Sequence, residues 1–147
     1  MGFPTPEAGL VISYSYLWQH EAAAGQVEGR KNRPCAIVLV VQDQEEGTQR
    51  VTVAPITHSP PANPEHAIAI PAPVKRHLGL DDQPSWIVLD DFNVFAWPGF
   101  DLRPIPGQPG QFSYGFLPPQ LFNQVIAKIG LLLQTARTAT TPRDDEA

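Results

Sequence analysis

The sequence predicts a mainly β fold with minor α content, a small domain that closes on one helix. Three observations carry this. The 17 prolines run from Pro4 to Pro142, which disfavours long helices and suits short strands joined by ordered loops. Segments rich in β-branched and aromatic residues recur at strand length, bounded by Gly, Pro and Asp. Only the segment after Pro118-Pro119 spaces its apolar residues as a helix does: Leu121, Phe122, Val125, Ile126 and Ile129.

Taken in order, Leu10 to Trp18 reads as a first strand, and His20 to Asn32 as a polar connecting loop. Cys35 to Gln42 is a second strand, continuous enough in apolar character to be buried on both faces. Asp43 to Gly47 suits a hairpin turn, and Arg50 to Thr57 a third strand whose Pro55 places it near an edge or a strand end. A proline-rich loop, Ser59 to Pro64, leads to a short strand at Ala67 to Ile70. Pro73 to Leu78 suits a helical turn, closed by Gly79 in a left-handed cap. Ser85 to Leu89 is another strand, leading into Asp90 to Phe95, and the Gly/Pro-rich stretch from Phe100 to Tyr114 reads as loop. The domain is expected to span residues 1–134. Residues 135–147, Thr-rich and then acidic, lack apolar side chains to pack and are expected to be a disordered tail.

Composition bounds the function. At 147 residues and 42% hydrophobic content, one domain can bury a sizeable core. A formal net charge of -5 argues against a nonspecific wrapper of nucleic acid, so an anion site has to be a local patch. The single cysteine, Cys35, excludes an intrachain disulfide and a cysteine-based zinc site, and reads as a small buried hydrophobe. The four histidines lack metal-ligand spacing, so neither metal nor cofactor is expected. The first residues do not read as a secretory signal and the longest apolar run is too short for a bilayer; a soluble, cytoplasmic protein with no membrane partner is the expectation.

Against the acidic background, Gly29-Arg30-Lys31-Asn32-Arg33-Pro34 stands out, because it runs directly into the apolar strand. Pro34 fixes the backbone and holds Arg33 extended at the strand entrance, a stiff base for a guanidinium that binds phosphate. Further reactive side chains fall at strand ends: Thr57 and His58 after the third strand, Asp90 and Asp91 after the Trp86 strand, and His20 in the first loop. Cleaving RNA without a metal needs a base for the 2′-hydroxyl, a donor or cation for the phosphorane, and an acid for the leaving 5′-oxygen. Arg33 suits the charge, Thr57 a phosphate oxygen, and His58 or Asp90 the proton transfers. His66 and His77 read as structural or surface residues. Trp18, Trp97 and the Tyr14/Tyr16 pair are candidates for base stacking or for core contacts.

Five segments together resemble the PemK/MazF family of type II toxin–antitoxin toxins. They are Gly9-Leu10-Val11-Ile12, Glu28 to Pro34 with its apolar strand, and Val53-Ala54-Pro55-Ile56-Thr57; then Gly79-Leu80 with Ser85 to Asp90, and Gly115-Phe116-Leu117 before the last helix. The resemblance covers about residues 9 to 133. It implies a bent, SH3-like barrel of antiparallel strands with a C-terminal helix, of the CcdB/PemK kind, forming a homodimer. It also implies metal-independent cleavage of single-stranded RNA, leaving a 2′,3′-cyclic phosphate and a 5′-hydroxyl, and a cognate antitoxin that lays an acidic segment across the RNA groove. By position, Arg33 matches the family's catalytic arginine and Thr57 its phosphate-binding hydroxyl residue, while Asp90 matches an acidic residue proposed as base. Arg30 and Lys31 then steer the RNA backbone.

The chain departs from the family in its longer first loop, in the elaborated segment Phe100 to Gln111, and at Asn93-Val94-Phe95-Ala96, where many members carry an arginine. Val88 stands where some carry another. His58 is the candidate to supply the missing proton donor. The alternative from another class is a non-catalytic or gyrase-targeting binding protein on the same barrel.

Overall fold

The structure is a computed structural model and describes residues 3–25, 32–43, 47–135 and 139–143. Its strands are β1 (Leu10–Ser15), β2 (Asn32–Asp43), β3 (Thr48–Thr57), β4 (Ala67–Ala69), β5 (Trp86–Val88), β6 (Asp91–Ala96), β7 (Ser113–Phe116) and β8 (Ala139–Pro142). The helices are α1 (Gln19–Ala23), α2 (Ala72–Leu78) and α3 (Pro119–Gln134), with a 3-10 turn at Pro64–His66. The protein is mainly β, a curled and largely antiparallel half-barrel.

The path through the sheet runs β4-β5-β3-β2-β1-β7, and β6 adds to β3 beside it. β3 is therefore a fork. Its first half pairs β6 from Arg50 to Val53, and its last residues, Ile56 and Thr57, pair β5. Pro55 lies between the two partners, at the point where a missing N–H costs no ladder bond. The sequence placed it near an edge or a strand end; it lies two residues from the end of β3, where this internal strand changes neighbours.

Alternation along the strands fills two layers. Val11, Ala36, Val38, Ala54 and Ile56 face Leu121, Val125 and Leu132 of α3 and Leu78 of α2. Ile12, Tyr14, Cys35, Ile37, Val51 and Val53 face Phe95 and Leu102 on the other side. The residues Cys35 to Val38 are thus buried on both faces, as their continuous apolar character predicts. A register shift between Ile37 and Leu39 then reverses the facing. Val40 takes the Phe95 side, while Leu39 and Val41 are left exposed, so the expectation of a doubly buried strand holds only for its first half.

α2 and its left-handed cap at Gly79 (φ 72°) form as the sequence predicts, and α3 starts at the expected proline pair. Three elements were not expected. α1 forms within the predicted loop because Glu21 reaches back to accept the Trp18 N–H at 3.0 Å. β7 arises from the Gly/Pro-rich stretch and pairs β1. The predicted tail is corrected in part: residues 139–142 form β8, parallel to β6. Arg143 anchors it. Its guanidinium is buried, meets Asp101 at 2.7 Å, and donates to the Ser15 carbonyl and to Asn93 Oδ1. That ion pair holds a segment with almost no apolar side chains of its own.

Candidate functional site

The sheet brings strand ends together around a cleft of about 870 Å³. Arg33, Thr57, His58 and Asp90, far apart in sequence, all line it, together with His66, His20 and Trp18. Strand pairing explains the convergence. β2 and β3 pair as Cys35 with Pro55, and Arg33 and Thr57, each two residues beyond that pair, both reach the cleft at this end of the ladder. β3 pairs β5 as Thr57 with Trp86, and β5 pairs β4 as Val88 with Ala67. One more bond, Leu89 N–H to the His66 carbonyl at 2.9 Å, sets His66 opposite Leu89 and within side-chain reach of the next residue, Asp90. Arg30 and Lys31, expected to steer RNA, lie outside the described residues.

Arg33 is half-buried at the start of β2, its guanidinium 5.2 Å from the centre of the Trp18 ring. Stacking of this kind orients the planar fork while leaving its edge open to an anion. Its Nε is buried and has no hydrogen-bond partner among the described residues. Such a donor is costly unless something else binds there. Thr57 Oγ1 accepts the Ser59 N–H at 3.1 Å, a local turn bond that leaves the hydroxyl hydrogen for an outside acceptor.

His58 does not stand alone. Its Nε2 meets Asp81 Oδ2 at 2.8 Å on the exposed rim of the cleft. Asp81 also takes the buried Lys75 ammonium at 2.6 Å, and this hydrogen bond holds its carboxyl below the usual value. Lys75 further donates to Ser85 Oγ and the Gln83 carbonyl, which fixes the loop after α2.

The neighbouring aspartates point opposite ways, Asp90 from the bend after β5 and Asp91 from the first position of β6. Asp90 lines the cleft and meets His66 Nδ1 at 2.9 Å. Asp91 accepts the Tyr16 hydroxyl at 2.6 Å and the Gln19 N–H at 3.2 Å on the other side. Burial pushes the Asp91 carboxyl up, and burial, helped by the Asp91 charge, raises Tyr16 well above the usual phenol value.

His66 was read from the sequence as structural or surface; the structure puts it in the cleft, paired with Asp90. The signal was present in Asn63-Pro64-Glu65. An Asn N-cap before a proline at the first helical position starts the 3-10 turn, with Asn63 Oδ1 accepting the Glu65 N–H at 2.9 Å, and His66 ends it.

The remaining candidates divide. Trp18 lines the cleft, as does Tyr114, which the sequence did not single out, whereas Tyr14 and Tyr16 are core residues and Trp97 packs on Phe95. Asn93, where the resemblance would place an arginine, is fully buried and bonds the Leu17 backbone through both amide atoms, so that place on β6 points away from the cleft. The elaborated segment contributes Ile105, Pro106 and Gln108 to the cleft wall. Among the described residues no cluster of three or more His, Cys, Asp or Glu is arranged to hold a metal, and no helix is long and apolar enough to cross a membrane. Compared with known proteins, the sequence matches no protein-family model and no curated protein.

Proposed function

We propose that the cleft is the active site of a metal-independent endoribonuclease acting on single-stranded RNA, in a growth-inhibiting toxin of the PemK/MazF kind. The observation that carries this reading is the convergence of Arg33, Thr57, His58 and Asp90 on one cleft, with the Arg33 guanidinium free of any ion pair among the described residues. In this reading Arg33 stabilises charge on the phosphorane, the Thr57 hydroxyl donates to a phosphate oxygen, and His58 protonates the leaving 5′-oxygen. The curled sheet followed by α3 supports an SH3-like barrel of the CcdB/PemK type. The reading carries with it a cytoplasmic homodimer and a cognate antitoxin whose acidic segment covers the same cleft, where Arg33 offers it a partner.

The test is induction of the wild type and of Arg33→Ala in a bacterial host, with transcript ends mapped. Growth arrest with new 5′-hydroxyl ends is expected for the wild type alone, with cleavage by Arg33→Ala lowered by about 100-fold or more, the scale of one lost charge-stabilising donor. Arrest without such ends would move the protein to the gyrase-targeting or binding class. Equal toxicity of the two would remove Arg33 from the site.

A further inference from the structure

We propose that His66 is the proton acceptor of this cleft, through Nε2, and that Asp90 is its positioning residue. The proposal rests on the RNA-cleavage reading for its substrate, but its geometry stands alone. Asn63 fixes the arrangement. Its Oδ1 is committed to the Glu65 N–H at 2.9 Å, so the atom facing His66 Nε2 at 3.3 Å is Nδ2, which only donates. A neutral His66 ring must then accept at Nε2 and carry its hydrogen on Nδ1, which donates to Asp90 Oδ2 at 2.9 Å. A carboxylate that fixes the tautomer and orientation of an imidazole leaves the other nitrogen as a base. The Asn63 contact is long and exposed, so a substrate hydroxyl can take its place.

In RNA cleavage, Nε2 takes the 2′-hydroxyl proton as the 2′-oxygen bonds to phosphorus. The bond from phosphorus to the 5′-oxygen breaks, and that oxygen leaves with a proton from His58. The products are the 2′,3′-cyclic phosphate and the 5′-hydroxyl, with no net change in protons. The charged and titratable groups around His66 among the described residues are Asp90 from the β5–β6 turn, Glu65 on its own turn, Lys128 of α3, and Arg33, His58, His20, Lys75, Asp81 and Tyr114 lining the same cleft.

Two measurements on the full chain test this. The ¹⁵N shifts of the imidazole at alkaline pH need no substrate: hydrogen on Nδ1 is expected, and hydrogen on Nε2 overturns the assignment. Cleavage of a single-stranded RNA oligonucleotide is then followed against pH. His66→Gln keeps a donor for Asp90 but cannot carry the proton; it should retain the melting temperature, lose about 100-fold or more in rate, and lose the ascending limb of the profile. Asp90→Asn should keep that limb while lowering the rate, since the imidazole loses the carboxylate that orients it. If His66→Gln keeps rate and limb while Asp90→Asn loses both, Asp90 is itself the base and the proposal fails. A wild type that cleaves no RNA overturns the nuclease reading instead, and the tautomer still decides whether Nε2 is an acceptor.

Discussion

Replacing Arg143 by alanine removes one side of an ion pair whose two side chains are 2% and 10% exposed. What remains is the buried Asp101 carboxylate without its 2.7 Å contact, the Ser15 carbonyl with one donor fewer, and Asn93 Oδ1 with the Leu17 N–H. Breaking a buried pair from one side costs about 3–5 kcal/mol, because the abandoned charge keeps its desolvation penalty. For a domain of this size each kcal/mol lowers the melting temperature by roughly 2–4 °C, so a fall of about 6–20 °C is expected. Thermal denaturation followed by circular dichroism reads it. Adding Asp101→Asn to Arg143→Ala removes the stranded charge and should restore part of the loss, the non-additivity of two groups in contact. Amide exchange gives a local readout: the N–H of Ala139, bonded to the Asp90 carbonyl at 3.0 Å, should lose protection in Arg143→Ala. A loss below about 1 kcal/mol, the range of an exposed ion pair, would refute the docking of β8 and return residues 135–147 to a tail.

Three further outcomes follow from the same structure. Arg33→Ala should change stability by only about 1 kcal/mol or less, since the guanidinium gives up a contact with the Trp18 face and, among the described residues, no ion pair; a much larger loss in chemical denaturation would make Arg33 a structural residue. Cys35 is buried and its thiol is pushed far up by burial, so a thiol reagent at neutral pH should leave the native protein unmodified and label it only when unfolded, which mass spectrometry distinguishes. Lys75→Met should destabilise at neutral pH, since Asp81, Ser85 Oγ and the Gln83 carbonyl each lose the ammonium's hydrogen bond. The Asp81 carboxyl is depressed in the folded state, so its contribution is present above its ordinary value of 3.8 and fades as pH falls through the lower folded value. Wild type and variant should therefore converge in acid; a difference that grows on acidification would contradict this.

Local chemistry explains what was legible in the sequence. The Cys35–Val38 run, the helix after Pro118-Pro119 and the Gly79 cap depend on residues adjacent in the chain, and they form where they were expected. Arg33, Thr57, His58 and Asp90 could be named because reactive side chains at strand ends are visible as such. β7 and β8 were not legible, since neither has a strand-like pattern strong enough to show without a partner. β7 borrows its order from β1, and β8 from β6 and the Asp101–Arg143 pair.

The sequence alone determined the β character, the order of the main strands and a set of candidate groups at their ends, because alternation, proline placement and helical spacing act over a few residues. Only the tertiary structure decided which of those groups meet. Asp90 turns to the cleft and Asp91 to Tyr16 where the chain passes from β5, paired with the end of β3, to β6, paired with its first half. His66 passed as a loop residue until the β4–β5 ladder carried it to Asp90. Contacts across tens of residues depend on register and on where a strand changes neighbours, and neither is written in any one segment of the chain.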